Sequence, residues 1–438
     1  MAYCLRSLAA RSTWDWVGRR MVRKKILFCL ETLNCGGIET SAVTFLQALD
    51  PTQFDVTLCL NRPGGDLLPQ IPSWVKVQVL PYGPMEVLEL TWGRKAVVRK
   101  LLLHGRIISV LRWILFGMKL RNMTEDQLVI ATQRRRYRTL NPDPVDYDLA
   151  ISYSELTQIQ YVADFVKARR KAVWMHTELS HAWSDVRTYL PFFRKMDYIF
   201  CVSPSLAESY RKVLPECVER IREYRHIVNA PMIRAQADAE TIDWPVGDGG
   251  LRILSVGRLA RQKGFDLIPE ITSRLKRKGR DFSWFIIGEG EQRAVIQSLI
   301  EQYHVEDRVS LIGQRLNPFP FFKACDIYVQ PSRYEGYCLT VAEARVFNKP
   351  IVATDFNGAR EQLKNGESGI IVPCDVVALS EALDRLLVDE ECRKNLIAKT
   401  NVDFEVGDLN AFVERLLEGN ACCRHFSIDT GVTNRLQY

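Results

Sequence analysis

What most constrains this chain is an alternation of short apolar runs with stretches of helical spacing, played through twice. In the first half the runs are 25–30, 55–60, 148–153, 171–175 and 198–202, followed by polar turn residues and helical segments. In the second half they are 252–256, 283–287, 309–312, 326–329, 350–353 and 369–372, interleaved with helical stretches such as 264–274, 291–303 and 376–388. Strands that alternate with helices are joined by crossovers and run parallel. The fold expected is therefore α/β, with two doubly wound parallel-sheet domains facing across a cleft and ligands beyond the carboxyl ends of the strands. The expected boundaries are an extension over 1–20, a first domain over 21–230, and a linker over 231–250, where Ala, Asp, Pro and Gly are frequent. A second domain over 251–405, a helix over 406–420 and a tail over 421–438 follow.

Composition narrows the class. At 438 residues, 47% hydrophobic and 25% charged, the chain is neither disordered nor a small disulfide-stapled scaffold. Its twelve cysteines include no C-x-x-C pair, and Cys29, Cys59, Cys201 and Cys325 sit in apolar runs, which points to a reducing, cytoplasmic setting. The net charge of +7 is unevenly spread. Residues 94–138 hold twelve basic and two acidic side chains, a local +10, so the remainder sums to −3. The longest apolar stretch, 107–120, is broken by Arg112 and Lys119 and is too short to span a bilayer. Two readings of 94–121 stay open: peripheral attachment to an anionic membrane surface, or a helix packed inside the first domain with its charges at the rim. Nucleic acid is not expected as a partner, because no stacking motif accompanies the basic run at 134–138.

Chemistry concentrates in the second half. After the run 253–256 comes Gly257-Arg258-Leu259-Ala260-Arg261-Gln262-Lys263-Gly264. Arg258 and Lys263 leave a strand's carboxyl end, where a guanidinium fork and a compact ammonium would neutralise a diphosphate. The same residues also read as a solvated basic turn. Further on, Ser332-Arg333-Tyr334-Glu335-Gly336-Tyr337-Cys338-Leu339-Thr340-Val341-Ala342-Glu343 places two carboxylates about a strand-to-helix junction. There the free N–H groups of 336–339 and the helix dipole favour an anion.

In this order, Gly-Arg-Leu…Lys-Gly, then Ile287-Gly288-Glu289-Gly290, then Glu335…Glu343, the sequence resembles glycosyltransferase family 4 over roughly 24–417. Gly36-Gly37-Ile38-Glu39 resembles that family's glycine-rich loop, and His176 its active-site histidine. The resemblance implies a GT-B fold of two Rossmann-like domains and a retaining transferase that takes a nucleotide-diphosphate sugar as donor substrate, with no cofactor. Arg258 and Lys263 would hold the diphosphate, and Glu343 the ribose hydroxyls. Glu335 would hold a sugar hydroxyl, helped by amides of Gly336, Tyr337, Cys338 and Leu339. His176 would contact the sugar near the reacting carbon, Gly36 and Gly37 would leave room for phosphate and acceptor, and the base would rest near Gly288 and Arg315. The acceptor would be a glycan or a lipid-linked glycan, in cell-surface polysaccharide biosynthesis at the cytoplasmic membrane face. The alternatives are a nucleotide-sugar epimerase of the same fold and a catalytically silent nucleotide-sugar-binding protein. Asp146-Tyr147-Asp148 spells a D-x-D metal signature but abuts an apolar run, so strand-entry acids and no metal site are expected; His181 reads as a loop residue.

Overall fold

The computed structural model describes residues 22–80, 123–138, 140, 144–177, 185–224, 226–242, 244, 250–399 and 409–419. The extension 1–20, the basic stretch 94–122, His181 and the tail 421–438 lie outside the described residues. The first sheet holds β1 (Lys24–Leu30), β2 (Phe54–Leu60), β3 (Lys76–Val79), β4 (Tyr147–Ser152), β5 (Ala168–Met175), β6 (Tyr198–Cys201) and β7 (Ile221–Glu223). Their order is β3-β2-β1-β4-β5-β6-β7, all parallel. The second holds β8 (Leu251–Val256), β9 (Phe282–Ile287), β10 (Val309–Leu311), β11 (Ile327–Gln330), β12 (Ile351–Thr354) and β13 (Ile370–Val372), in the order β10-β9-β8-β11-β12-β13, again parallel.

Parallel sheets carry helices on both faces, so their central strands have no wet side. Ile26 to Leu30 are accordingly inaccessible in β1, and Phe282 to Ile287 are buried throughout β9. The edge strands differ. β3 is Lys-Val-Gln-Val and mostly exposed, and β7 is Ile-Arg-Glu, so neither shows the apolar run that marks its neighbours. Both escape a reading based on apolar runs. Cys29, Cys59, Cys201 and Cys325 are buried as small hydrophobes.

The segment 231–250, expected as a linker, is partly helical. It begins inside the helix Ala230–Asp238, whose N-cap Asn229 accepts from the Met232 N–H at 3.1 Å. Asn at the cap and Pro just inside are helix-start signals, although their composition resembles a loop. Val228, Ala230, Ile233 and Ala237 belong to the second domain's core, and Trp244 packs on Phe285 with ring centroids 4.4 Å apart. The helix Leu409–Glu418 returns to the first domain instead. Phe412 lies 5.4 Å from Phe200 and 5.3 Å from Tyr224, Tyr198 donates to the Leu416 carbonyl, and Arg169 to that of Leu417. The chain thus crosses between the domains twice.

Candidate active site

Each sheet reverses its direction of growth once, between β1 and β4 in the first and between β8 and β11 in the second. Helices on opposite faces leave a crevice at such a point. The four loops that follow these strands carry nearly all the residues of the site. After β1 come Gly36 and the helix Gly37–Gln47; after β4 comes Glu155; after β8 come Arg258 and Lys263; after β11 comes the stretch to Glu335 and the helix Leu339–Val346.

The second-domain side is a polar cluster. Lys263 sits in a tight turn whose next residue, Gly264, has φ +69, and a Cβ there would lie 1.9 Å from the Pro331 carbonyl oxygen, so only glycine fits. That close approach brings Lys263 Nζ to 2.6 Å from Glu335 Oε1. Glu335 also accepts from Ser332 Oγ at 2.8 Å, Ser332 Oγ accepts from Gln330 Nε2 at 2.8 Å, and Gln330 Oε1 accepts from Tyr328 and Thr340. The chain of bonds runs from the end of β11 into the first turn of the helix and fixes the carboxylate. Burial works against the Lys263 ammonium, but the neighbouring Glu335 carboxylate outweighs it and holds the pKa above that of an ordinary lysine. Glu343, one face further along the helix, is pushed up to about 7 by burial, with Lys263 pulling the other way.

The first-domain side is built around His176, at the end of β5 and 8% exposed. Its backbone N–H donates to Glu155 Oε1 at 2.6 Å, and Nε2 lies 2.9 Å from the Tyr153 carbonyl oxygen. A carbonyl only accepts, so Nε2 carries the hydrogen and Nδ1 is a bare lone pair, buried with no hydrogen-bond partner among the described residues. Burial lowers the His176 pKa to about 4, and the ring is neutral at physiological pH. Glu155 has φ +50, a left-handed conformation unusual for a non-glycine residue. Burial raises its pKa, against the pull of its hydrogen bonds from His176 and Thr177.

The two sides meet. A Cβ on Gly336 would fall 2.1 Å from the His176 carbonyl oxygen, and the nearest atom to one on Gly37 is Leu339 Cδ1 at 4.0 Å. The N-termini of the helices Gly37–Gln47 and Leu339–Val346 therefore open on one space, which suits an anion. His226, from the crossover between the domains, stacks on His176 at 5.2 Å and 20°, and meets Tyr337 at 5.5 Å. Burial raises the Cys35 pKa, with Asp66, Glu343 and Glu39 adding to it, so Glu343 faces the glycine loop. Arg258 is exposed and acts electrostatically on both Glu39 and Lys263. Gln314 donates to Asp66 at 2.8 Å and Ser205 Oγ to Glu361 at 2.8 Å, fastening the cleft at its margins.

Of the residues singled out in the sequence, His176, Arg258, Lys263, Glu335, Glu343, Gly36, Gly37 and the stretch Gly336 to Leu339 come together here. Cys338 is buried at the N-cap with φ 68, and burial pushes its thiol up to about 12, so it is no nucleophile. Gly288 backs onto Gly257, where a Cβ would lie 1.9 Å from the carbonyl oxygen, and its N–H donates to Gly313. Arg315 is exposed and donates to the carbonyl of its neighbour Gln314; no contact among the described residues ties it to the Lys263–Glu335 pair. Asp148 lies at the opposite end of the sheet, accepting from the Lys25 N–H at 2.9 Å, the place of a strand-entry acid. Glu155, His226 and Gln330 were not singled out, and Ser332 was named in its motif without a role. Glu155 and Ser332 follow switch-point strands, a signal that topology supplies and motif spacing does not.

Residues 239–402 match the family model described as glycosyl transferases group 1. Over about 90% of this chain, the structure also superposes on Anabaena HepE in complex with UDP and glucose (TM-score 0.61, 14% identity, 91% of this chain and 97% of that one). It superposes similarly on a Staphylococcus aureus TarM variant in complex with fondaparinux, α-GlcNAc-glycerol and UDP (TM-score 0.60, 13% identity, 90% and 98%). The fold is GT-B. In sequence, the kanosaminyltransferase of Streptomyces kanamyceticus is 33% identical over 147 residues, which is 33% of this chain and 38% of that protein. The lipopolysaccharide core biosynthesis glycosyltransferase LpsE of Rhizobium meliloti is 28% identical over 220 residues, 48% of this chain and 60% of that protein. The matched part thus spans about two fifths to three fifths of these relatives. Among the described residues, no helix of this GT-B chain is long and apolar enough to cross a membrane.

Proposed function

We propose that this GT-B chain is a retaining glycosyltransferase that moves a sugar from a nucleotide-diphosphate donor to a glycan or lipid-linked acceptor in cell-surface polysaccharide synthesis. The observation that carries the reading is the Lys263–Glu335 pair just before the helix Leu339–Val346, with the backbone of His176 packed against Gly336 beside it. As the nucleotide diphosphate departs, negative charge builds on its oxygens. Lys263, Arg258 and the amides of Gly336 to Leu339 are placed beforehand to stabilise that charge, and such groups lower the barrier because they gain most in the transition state. Glu335, held by Lys263 and Ser332, takes a sugar hydroxyl, and the bare His176 Nδ1 accepts a second. Glu343 takes the ribose hydroxyls and the base rests near Gly288.

The sugar carbon–phosphate oxygen bond breaks, the bond from that carbon to the acceptor oxygen forms on the same face, and the acceptor's proton passes to the departing phosphate. This front-face course needs no carboxylate nucleophile. Glu155, the carboxylate beside His176, is already engaged by backbone amides of the loop it anchors. Work at the cytoplasmic face, with the basic stretch on an anionic membrane, belongs to the same reading.

The test is a thermal-shift screen with nucleotide diphosphates and nucleotide sugars, UDP first, followed by turnover of the donor that binds. Ligand at a hundred times its Kd stabilises by about 2.7 kcal/mol, a clear rise in melting temperature. Full transfer by both Lys263→Ala and Glu335→Gln would remove these roles.

A further inference from the structure

His226 stands where the chain passes from the first domain to the second, and its surroundings hold it from both sides. Two residues earlier, Tyr224 is buried in the first domain, its N–H donating to the Cys201 carbonyl at 2.8 Å and its ring meeting Trp174 at 5.4 Å and Phe412 at 5.3 Å. Ile227 still packs against that core, whereas Val228 belongs to the core of the second domain. The His226 side chain, 6% exposed, therefore has little room to turn. Its ring touches one ring from each domain. His176, at the end of β5, stacks on it at 5.2 Å and 20°, and Tyr337, in the loop before the helix Leu339–Val346, meets it at 5.5 Å and 53°. Tyr337 is fixed in turn, its ring packed against both cores and its carbonyl accepting from Gln362. Burial drives the His226 pKa well below the ordinary value, with His176 adding to the effect, so both imidazoles are neutral at physiological pH. His226 Nδ1 is buried with no hydrogen-bond partner among the described residues. An aliphatic side chain would fill the same space without that penalty, so simple core filling does not account for an imidazole here.

We infer that His226 is a positioning residue of the transferase, holding the His176 ring in one plane against the loop that carries Tyr337. The His176 side chain has one hydrogen bond, from Nε2 to the Tyr153 carbonyl oxygen. A single bond of that kind fixes one point of the ring and leaves its tilt open. The tilt is set by the rings packed against it, Tyr153 at 5.0 Å and 58° and His226 at 5.2 Å and 20°. Ring pairs at such separations attract, and a nearly parallel stack constrains the plane more than a tilted contact does. Tyr153 follows β4 in the same domain and would hold His176 whatever the second domain did. His226 continues to Tyr337, so the orientation of the imidazole is tied to the loop whose amides stand at the helix N-terminus. The inference rests on the transferase reading for its effect on turnover, but not for its effect on the ring.

The experiment replaces the ring without emptying its space. His226→Leu keeps apolar bulk but removes the flat face and the unpartnered nitrogen, so the melting temperature should hold or rise. His226→Phe keeps a flat ring. With the donor found by thermal shift, His226→Leu should lower kcat by about ten- to a hundredfold, a misplacement of about 1 Å setting the upper figure, and leave the donor KM within about twofold. His226→Phe should restore most of kcat. A merely structural role would lower the melting temperature and leave kcat per folded molecule unchanged. Nitrogen NMR of protein labelled at histidine reads the ring itself. In the parent, His176 should show one bare and one hydrogen-bearing nitrogen; in His226→Leu the two signals should move together as the bond from Nε2 to Tyr153 loosens, and in His226→Phe they should stay apart. Parental kcat in His226→Leu, equal loss of kcat in both variants, or unchanged His176 signals in His226→Leu overturns the inference. Absence of any nucleotide-dependent thermal shift or donor turnover in the parent would count against the transferase reading instead, and the nitrogen signals would still decide what His226 does to His176.

Discussion

Gly336→Ala tests whether the cleft works closed as it stands. Gly336 shows no left-handed φ, so alanine is tolerated by the loop itself, and the obstacle is the His176 carbonyl oxygen, 2.1 Å from the new Cβ. Contacts of that kind need at least about 3 Å, so the loop and the end of β5 must part by about 1 Å. Because the clash lies between the domains, each core keeps its packing and the melting temperature should stay within a few degrees of the parent. Donor affinity, set mainly by the second domain, should change little. Turnover should fall about a hundredfold, since a misplacement of about 1 Å between catalytic groups and substrate costs on that order, or roughly 2.7 kcal/mol of barrier. Steady-state kinetics with the donor found by thermal shift read kcat and KM separately. A variant with parental kcat would show that Gly336 and His176 need not approach during turnover, and the shared site would have to be abandoned.

Three further outcomes follow from particular contacts. Glu335→Ala strands the largely buried Lys263 ammonium and should cost about 3–5 kcal/mol in urea unfolding, whereas Lys263→Met/Glu335→Leu should regain most of it; equal losses in the two would mean the pair is effectively solvated. His176 has a native pKa near 4 against an ordinary 6.5, so its neutral form is favoured by folding. The stability this gives is complete above about pH 6.5 and lost as pH falls toward 4, amounting to about 2.5 kcal/mol by pH 4.5, and His176→Phe should flatten the denaturation profile over that range by the same amount. Phe412→Ala, which empties the space between Phe200 and Tyr224, should destabilise the first domain by about 3–5 kcal/mol; a shift confined to the second domain's unfolding would contradict the packing of the last helix.

How far the site was legible in the sequence depended on which physical signal each residue leaves. Among the described residues, eleven of the thirteen strands announce themselves as apolar runs, as parallel strands with covered faces do. β3 (Lys-Val-Gln-Val) and β7 (Ile-Arg-Glu) do not, because polar residues interrupt them, whereas the equally short edge strands β10 and β13 keep an apolar run. The helix Ala230–Asp238 was hidden by its own start signals, Asn and Pro, which in composition look like a breaker. The charged cluster of Lys263, Glu335 and Glu343 was legible because ionisable residues just after a strand form a local pattern. His226 and Glu155 left no such trace. One acts through ring contacts with His176 and Tyr337, the other through a backbone amide at the end of a different strand, and neither partner is near in sequence.

The same distinction explains why glycine carries so much of the site. Gly264 and Gly336 bring no side-chain chemistry, yet each lets two backbones approach to a distance that any side chain would forbid. The first approach sets Lys263 beside Glu335 within one domain; the second sets His176 over the helix N-terminus of the other. The charged groups therefore depend on positions where nothing projects. Substituting either glycine should impair the cleft more than exchanging exposed Arg315 at its rim, which separates a site held by backbone approach from one held by its surface charges.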